Sequence, residues 1–380
     1  MNEKKKARKQ RRKKITLIAV IFVVVICLCA HLFVNSQLVK GVVYREGNYA
    51  SNTVLEVDKS ISGSYSVFGD NIIFKNKNGV HAYNQKGELV NTENYDEVSA
   101  IIAGFASPVI RSEGDYLLSF DSSGRRMVVF NNKKILHREE TEYNLQSAKV
   151  FEDGGFLAIT GDAGAKNQAV FYDSKGEKFF IWHSGVDNIL DGTVLNGGKK
   201  LAVLTSELAS GIISSKLLFF NKGEAEAYAT VLIEDAFVTN IEACGSRIVA
   251  LSDEGLYYYN SDGRKLADYS FNDKFLKYFR ILENGTAVLS FGSVSISLNT
   301  VEIVNKKGKL KGSYSTDEEI LDVDCRNNNI LLTHKNSADI LSMKGNLIRH
   351  LEFDREMKKV AFIGRNKIVL IGNSEVKIIK

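Results

Sequence analysis

The sequence predicts an all-β architecture, an eight-bladed β-propeller with seven blades as the alternative, preceded by one N-terminal transmembrane helix. Three observations carry this reading. Compact apolar runs recur eight times along the chain. Each run is followed by a second strand and, in most cases, by a polar turn ending in glycine. Residues 15–34 hold no formal charge and directly follow a strongly basic tail.

The 380 residues carry a net charge of +5. Residues 1–14 hold nine Lys and Arg against the single acid Glu3, which is +8 and leaves −3 for everything after them. The basic balance belongs to this tail, so a nucleic-acid surface on the body of the chain is not implied. A hydrophobic content of 44% excludes a disordered chain, and the single proline, Pro108, excludes a Pro-rich or collagen-like one.

Ile15 to Val34 reads ITLIAVIFVVVICLCAHLFV. At about 1.5 Å per residue, a helix of this length matches the roughly 30 Å hydrocarbon core. Its β-branched residues are no obstacle, because lipid leaves a single segment only the helix to satisfy its backbone. Cys27-Leu28-Cys29-Ala30-His31 offers no small-residue cleavage site, and Ile26 and Leu28 do not suit a lipoprotein cysteine. The segment therefore reads as an uncleaved signal anchor. The cations before it keep the N-terminus cytoplasmic and place residues 35–380 outside. The tail is also suited to anionic headgroups. The organisation expected is a basic cytoplasmic tail (1–14), a transmembrane helix (15–34), a linker (35–52) and a propeller (53–380).

The apolar runs start at Ile72, Leu117, Phe156, Leu201, Ile248, Ala287, Ile330 and Ile368, a mean spacing near 42 residues. Each has the length and composition of a strand covered on both faces, as the second strand (B) of a blade is by its neighbours. The third strands (C) follow, at 80–83, 127–130, 169–172, 217–220, 256–259, 301–304, 338–341 and 376–379. Polar turns come next, such as Asn84-Gln85-Lys86-Gly87 and Asp173-Ser174-Lys175-Gly176. Asn or Asp opens such a turn through its side chain, and Gly takes the positive φ at its end. Blade two departs from this at Asn131-Asn132-Lys133-Lys134. Innermost strands (A) precede B at 65–68, 148–151, 239–244, 321–325 and 359–363. The last repeat runs out after its C strand, which would leave an open edge. Val54-Leu55-Glu56-Val57 stands where an outermost strand (D) belongs, so residues 53–58 are expected to complete the last blade.

The strand–turn–strand pattern with its D/N-x-K-G turns resembles the quinoprotein-like (PQQ-like) β-propeller superfamily. The layout of basic tail, one span and propeller resembles an uncharacterised family of single-pass membrane-anchored propeller proteins of clostridia-like Gram-positive bacteria. The quinoprotein enzymes carry a docking tryptophan in nearly every blade, an adjacent-cysteine disulfide and a calcium site. This chain has one tryptophan, Trp182, and neither of the other patterns. The resemblance implies the fold and not the enzyme activity.

No catalytic constellation is legible. None of the six histidines forms H-E-x-x-H or a metal-spaced pair with cysteine, and no P-loop or nucleophile elbow occurs. Asp322-Val323-Asp324 matches a fragment of a calcium loop without its glycine and terminal glutamate, and reads as strand A acids near the channel. Asn284-Gly285-Thr286 reads as a tight turn rather than a glycosylation site. Tyr257-Tyr258-Tyr259 and the neighbouring Tyr269, Phe271, Phe275, Tyr278 and Phe279 read as packing between blades. Cys244 and Cys325, in blades five and seven, are expected to be free thiols, too far apart to bridge. No catalytic, cofactor-binding or metal-binding residue is assigned, and no cofactor.

The B–C connections of blades three (161–168), four (206–215) and six (292–299) are long, and repeat proteins gather insertions on a binding face. The expectation is a non-catalytic, extracytoplasmic protein- or ligand-binding module at the cell membrane, its B–C/D–A face turned toward a wall or protein partner. A quinone-type redox enzyme and a ligand sensor are the alternatives.

Overall fold

The computed structural model describes residues 42–45, 53–56, 64–76, 79–94, 105, 107–131, 134–209, 212–234, 236–292, 298–364, 367–372 and 375–379. The expected tail and transmembrane helix, with Cys27 and Cys29, lie outside these residues. Among the described residues no helix is long and apolar enough to cross a membrane.

The strands form eight sheets, each an antiparallel meander of strands A to D. Eight blades, not seven, is therefore the count. Blade one is built from Ser64–Phe68, Asn71–Asn76, Gly79–Tyr83 and Leu89–Asn94. Blade eight takes three strands from the C-terminus, Lys359–Ile363, Lys367–Ile371 and Glu375–Ile379. Its fourth is Thr53–Glu56, antiparallel to the last strand, with Thr53 opposite Ile378 and Glu56 opposite Glu375. The ring is thus closed by joining the two ends of the chain in one sheet, which removes the open edge. The expected linker also contains a strand. Val42–Arg45 runs parallel to strand D of blade seven, Leu347–Glu352, and makes that blade five-stranded.

The double burial of the B strands has a direct cause. Eight buried clusters occupy the eight seams between blades. Alternate residues of one B strand feed opposite seams. In blade four, Leu201 and Val203 enter the seam with blade three, and Ala202 and Leu204 the seam with blade five. Period-two alternation is therefore apolar against apolar, which is why these runs read as continuous. Each buried Leu or Ile contributes about 2 kcal/mol. Tyr258 and Tyr259 are buried in the seams on either side of blade five. Phe275 departs from expectation: it is exposed, at the start of strand A of blade six.

The glycine turns do two jobs. In blades one, three, five, six and seven the Gly N–H donates to the carbonyl of the Asn, Asp or Ser that opens the turn. The ladder register shifts just beyond each of these turns, the mark of a type I turn with a glycine bulge. The second job is contact. A Cβ on Gly345 would lie 2.4 Å from the Ser313 carbonyl oxygen, and one on Gly312 2.2 Å from that of Lys344. The C–D turn of blade seven thus sits directly on strand D of blade six, Leu310–Thr316.

Polar clamps repeat between the inner strands. Asp191 Oδ1 accepts from the Gly192 N–H, and its Oδ2 from the Ile241 N–H of blade five. Asp324 does the same, accepting from the Cys325 N–H and from the Phe362 N–H of blade eight. Asp322 pairs with Arg280 of blade six and Lys359 of blade eight. The Asp322-Val323-Asp324 run therefore binds neighbouring blades. Three strand A segments were not singled out from sequence: Pro108–Glu113, Asn188–Leu195 and Phe275–Ile281. The long B–C connection of blade four is mostly strand, because Lys200–Ala209 and Ile212–Asn221 form an extended hairpin.

Candidate functional site

Strands A of blades two to six end around a cavity of about 360 Å³. It lies at the axis and opens on the A–B/C–D face, opposite the face with the expected long connections. Its wall comprises the ends of the A strands and the A–B turns, including Glu113, Lys149, Glu152, Glu242, Cys244 and Glu283.

Lys149 supplies the wall's cation and is fully engaged. Its Nζ donates to the Ile241 carbonyl at 2.7 Å, and lies 3.2 Å from Asp191 and 3.1 Å from Glu242. Burial opposes its charge, but Asp191 and Glu242 outweigh burial and push the ammonium up to about 12. Glu113, Glu152 and Glu283 form no ion pair among the described residues. The Glu113 carboxyl meets solvent within the cavity, yet the enclosing wall and the charges of Glu242, Glu152 and Glu283 raise it to about 7, against the pull of Lys149. Glu152 is raised by burial and by Glu283 and Asp153. The mouth therefore has surplus negative charge, held where each carboxylate disfavours the next. A cation placed there relieves that repulsion.

The cavity's thiol does not suit nucleophilic chemistry. Burial, Glu242 and other acids push Cys244 up to about 11, and its Sγ donates to the Leu282 carbonyl. Cys325 is pushed up to about 12, chiefly by burial. Both cysteines are free, as their spacing predicts. Asn284-Gly285-Thr286 is the tight A–B turn of blade six, with Gly285 at φ 77° and the Thr286 N–H bonded to Asn284 Oδ1. Among the described residues no group of three or more His, Cys, Asp and Glu is placed to hold a metal ion.

A second polar centre sits in the seam of blades six and seven. Asp339 is buried and accepts from Tyr314 Oη at 2.7 Å, His350 Nδ1 at 2.6 Å and His334 Nε2 at 3.2 Å. His334 Nδ1 lies 2.9 Å from the Glu319 carbonyl oxygen. A carbonyl and a carboxylate can only accept, so the two contacts are satisfied together only when both ring nitrogens of His334 donate, which favours the imidazolium. Burial lowers its pKa, but the bonds to Asp339 and Glu319 raise it overall. Burial would raise the Asp339 carboxyl, but its two histidines and Tyr314 hold it low. This centre locks two blades together, with Asp339 and His334 buried and the His350 side chain partly exposed.

Among the described residues, the exposed apolar side chains on the B–C/D–A face include Val186, Ile213, Phe275 and Leu298. Lys216 on the long hairpin of blade four bridges Asp187 and Glu207.

The cavity was missed from sequence because its acids lie far apart along the chain. A signal existed: Glu113, Glu152, Glu242 and Glu283 are separated by 39, 90 and 41 positions, one or two blade periods. Acids in phase with a propeller repeat converge at the axis.

Residues 43–380 match the sequence profile of DUF5711, a family of unknown function, and the chain belongs to that family. No curated protein sequence matches it. Among solved structures, Sqt1 of Saccharomyces cerevisiae is similar with a TM-score of 0.57 at 12% identity, over 87% of this chain and 98% of that one. BamB of Moraxella catarrhalis gives 0.51 at 12%, over 87% and 99%. Chaetomium thermophilum Sqt1 bound to the N-terminus of the ribosomal protein L10 gives 0.53 at 10%, over 87% and 99%. At these identities the likeness is one of fold.

Proposed function

We propose that this DUF5711 member is a non-catalytic binding module, tethered to the cell membrane by residues 15–34 with its propeller outside the cytoplasm. Its partner presents a cationic group, a lysine or arginine side chain of a protein segment, to the axial cavity. The carrying observation is the set Glu113, Glu152 and Glu283, carboxylates without ion-pair partners around one opening. Chaetomium thermophilum Sqt1, similar to this chain in fold and bound to the N-terminus of the ribosomal protein L10, is a precedent for such a fold taking a chain segment.

Zero-length carbodiimide coupling in native membranes tests this. The expected result is amide cross-links from a partner's lysines to Glu113, Glu152 or Glu283, lost when all three are changed to Gln. Cross-links confined to other carboxylates would overturn the cavity reading. A cofactor absorbance in the purified chain would favour the redox alternative.

A second reading has its own observation, the exposed Val186, Ile213, Phe275 and Leu298 on the opposite face. A photo-cross-linker at position 186 or 213 that captures a partner, while the cavity carboxylates capture none, would move the binding site there.

A further inference from the structure

The entry of the N-terminal strand fixes which part of the ring lies nearest its tether. Val42–Arg45 runs parallel to strand D of blade seven, with Val42 opposite Arg349 and Arg45 opposite Glu352. Strand D leaves the C–D turn and runs toward the D–A connection. The chain therefore reaches Val42 from the A–B/C–D face, at the rim of blade seven. Only residues 35–41 separate the proposed span from this strand. At about 3.5 Å per residue, that connection reaches at most about 28 Å.

The same corner of the face is basic. Lys306 and Lys307 lie in the C–D turn of blade six, Lys309 directly precedes its strand D and Lys311 lies in that strand, and Lys344 lies in the turn of blade seven. All five are exposed, and none forms an ion pair among the described residues. The close contact of Gly312 with the Lys344 carbonyl sets the two groups side by side. The adjoining acid of blade five, Asp268, is already paired with Lys265, and Glu302 is buried against Lys274.

We infer that this corner, formed by Lys306, Lys307, Lys309, Lys311 and Lys344, is a docking surface for the headgroups of anionic phospholipids in the membrane that tethers the chain. Lysines within a Debye length of an anionic leaflet are drawn to it, and the short connection holds them within reach. Contact at blades six and seven tilts the ring and leaves the cavity mouth, on the side of blades two to six, open to a partner. The inference rests on the membrane tether proposed above, and its test separates the two.

The full chain is reconstituted with vesicles of phosphatidylcholine alone, or of phosphatidylcholine mixed with phosphatidylglycerol. Flotation reads the tether, and amine acetylation read by mass spectrometry reads the docking. The expected result is flotation with both vesicles, and labelling of the five lysines about threefold or more slower on the anionic ones. Lys175 and Lys222, in the turns of blades three and four, should label equally on both. Raising the salt to about 1 M, where the Debye length is about 3 Å, should erase the difference. The exposed-site variant Lys307→Glu with Lys344→Glu should lose the protection at the three remaining lysines. A chain that floats but labels equally on both vesicles overturns the docking and leaves the tether standing. Protection that persists unchanged in the double variant overturns it as well. A chain that floats with neither vesicle overturns tether and docking together.

Discussion

Arg326 and Gly69 stand 257 positions apart in the chain, and the Arg326 guanidinium donates to the Gly69 carbonyl oxygen at 3.2 Å. It also donates to the Gly364 carbonyl at 3.1 Å. One side chain at the end of strand A of blade seven, Asp322–Arg326, thus ties the A–B turns of blades eight and one, across the seam between the C-terminal strands and blade one. Lys367 of blade eight reinforces that seam by donating to Gln85 Oε1 of blade one at 2.6 Å. Arg326→Ala leaves both carbonyls without this charged donor. The expected loss is about 2 kcal/mol. A urea titration should show a lower midpoint with an unchanged slope, and a midpoint within error of wild type would refute the clamp.

Blade spacing gives a second prediction. A methyl group on Gly312 meets the backbone of Lys344, which cannot swing aside as a flexible side chain would. Gly312→Ala should cost about 1–3 kcal/mol by overpacking. Gly185→Ala, where nothing lies within 4 Å, is the neutral comparison. Equal melting temperatures for the two variants would contradict the contact.

The centre at Asp339 predicts a dependence on pH. The His334 pKa is raised above its ordinary 6.5, so its contribution is complete below that value and disappears as pH rises through the higher folded value. Asp339 is lowered from 3.8, so its contribution holds above that value and disappears as pH falls through the lower folded one. His334→Gln should therefore cost most near pH 5, about 2–3 kcal/mol, and progressively less in alkaline buffer. A cost that grows with pH would reverse the sign and sink the assignment.

Glu113 works in the opposite sense to an ordinary ion-paired carboxylate. Its pKa is raised from 4.5 to about 7, so the folded state holds its proton more tightly than the unfolded chain does. Stability from this group is present below pH 4.5 and lost as pH rises to about 7. Glu113→Gln should raise the denaturation midpoint at pH 8 and leave it unchanged at pH 4. Destabilisation at pH 8 would show that the cavity does not crowd this carboxylate.

Thiol reactivity provides a further check. With Cys244 pushed up to about 11 and Cys325 to about 12, both should resist iodoacetamide at pH 8 in the folded chain and react in denaturant. Mass spectrometry without reductant should find no bridge between them.

Different parts of this molecule were legible in the sequence to different degrees, for physical reasons. The B strands announce themselves because both of their faces are seams, so Ile248 and Ala250 turn one way, Val249 and Leu251 the other, and all four are apolar. The glycine turns are legible because their hydrogen bonding demands particular residues at fixed offsets. Strand A of blade two is not, because Arg111, Ser112 and Glu113 are exposed along the channel and lack the apolar pattern. Residues 206–215 of blade four read as a connection because Ser206, Ser214 and Ser215 are polar. Ser215 is nonetheless buried, donating to the Ala236 carbonyl and accepting from the Val238 N–H. Sequence polarity cannot distinguish a solvated loop from a strand whose hydroxyls stitch two blades together.

The account as a whole depends on a ring closed by its own N-terminal strand, since that closure completes blade eight as a four-stranded sheet. The most direct measurement is a cysteine pair, Val54→Cys with Lys377→Cys, at positions that lie opposite each other in blade eight. After mild oxidation, peptide mapping should recover a disulfide between positions 54 and 377 in the folded chain, at high yield and without loss of stability. A chain that stays folded while these two cysteines remain unlinked, or join other partners, would contradict the closure.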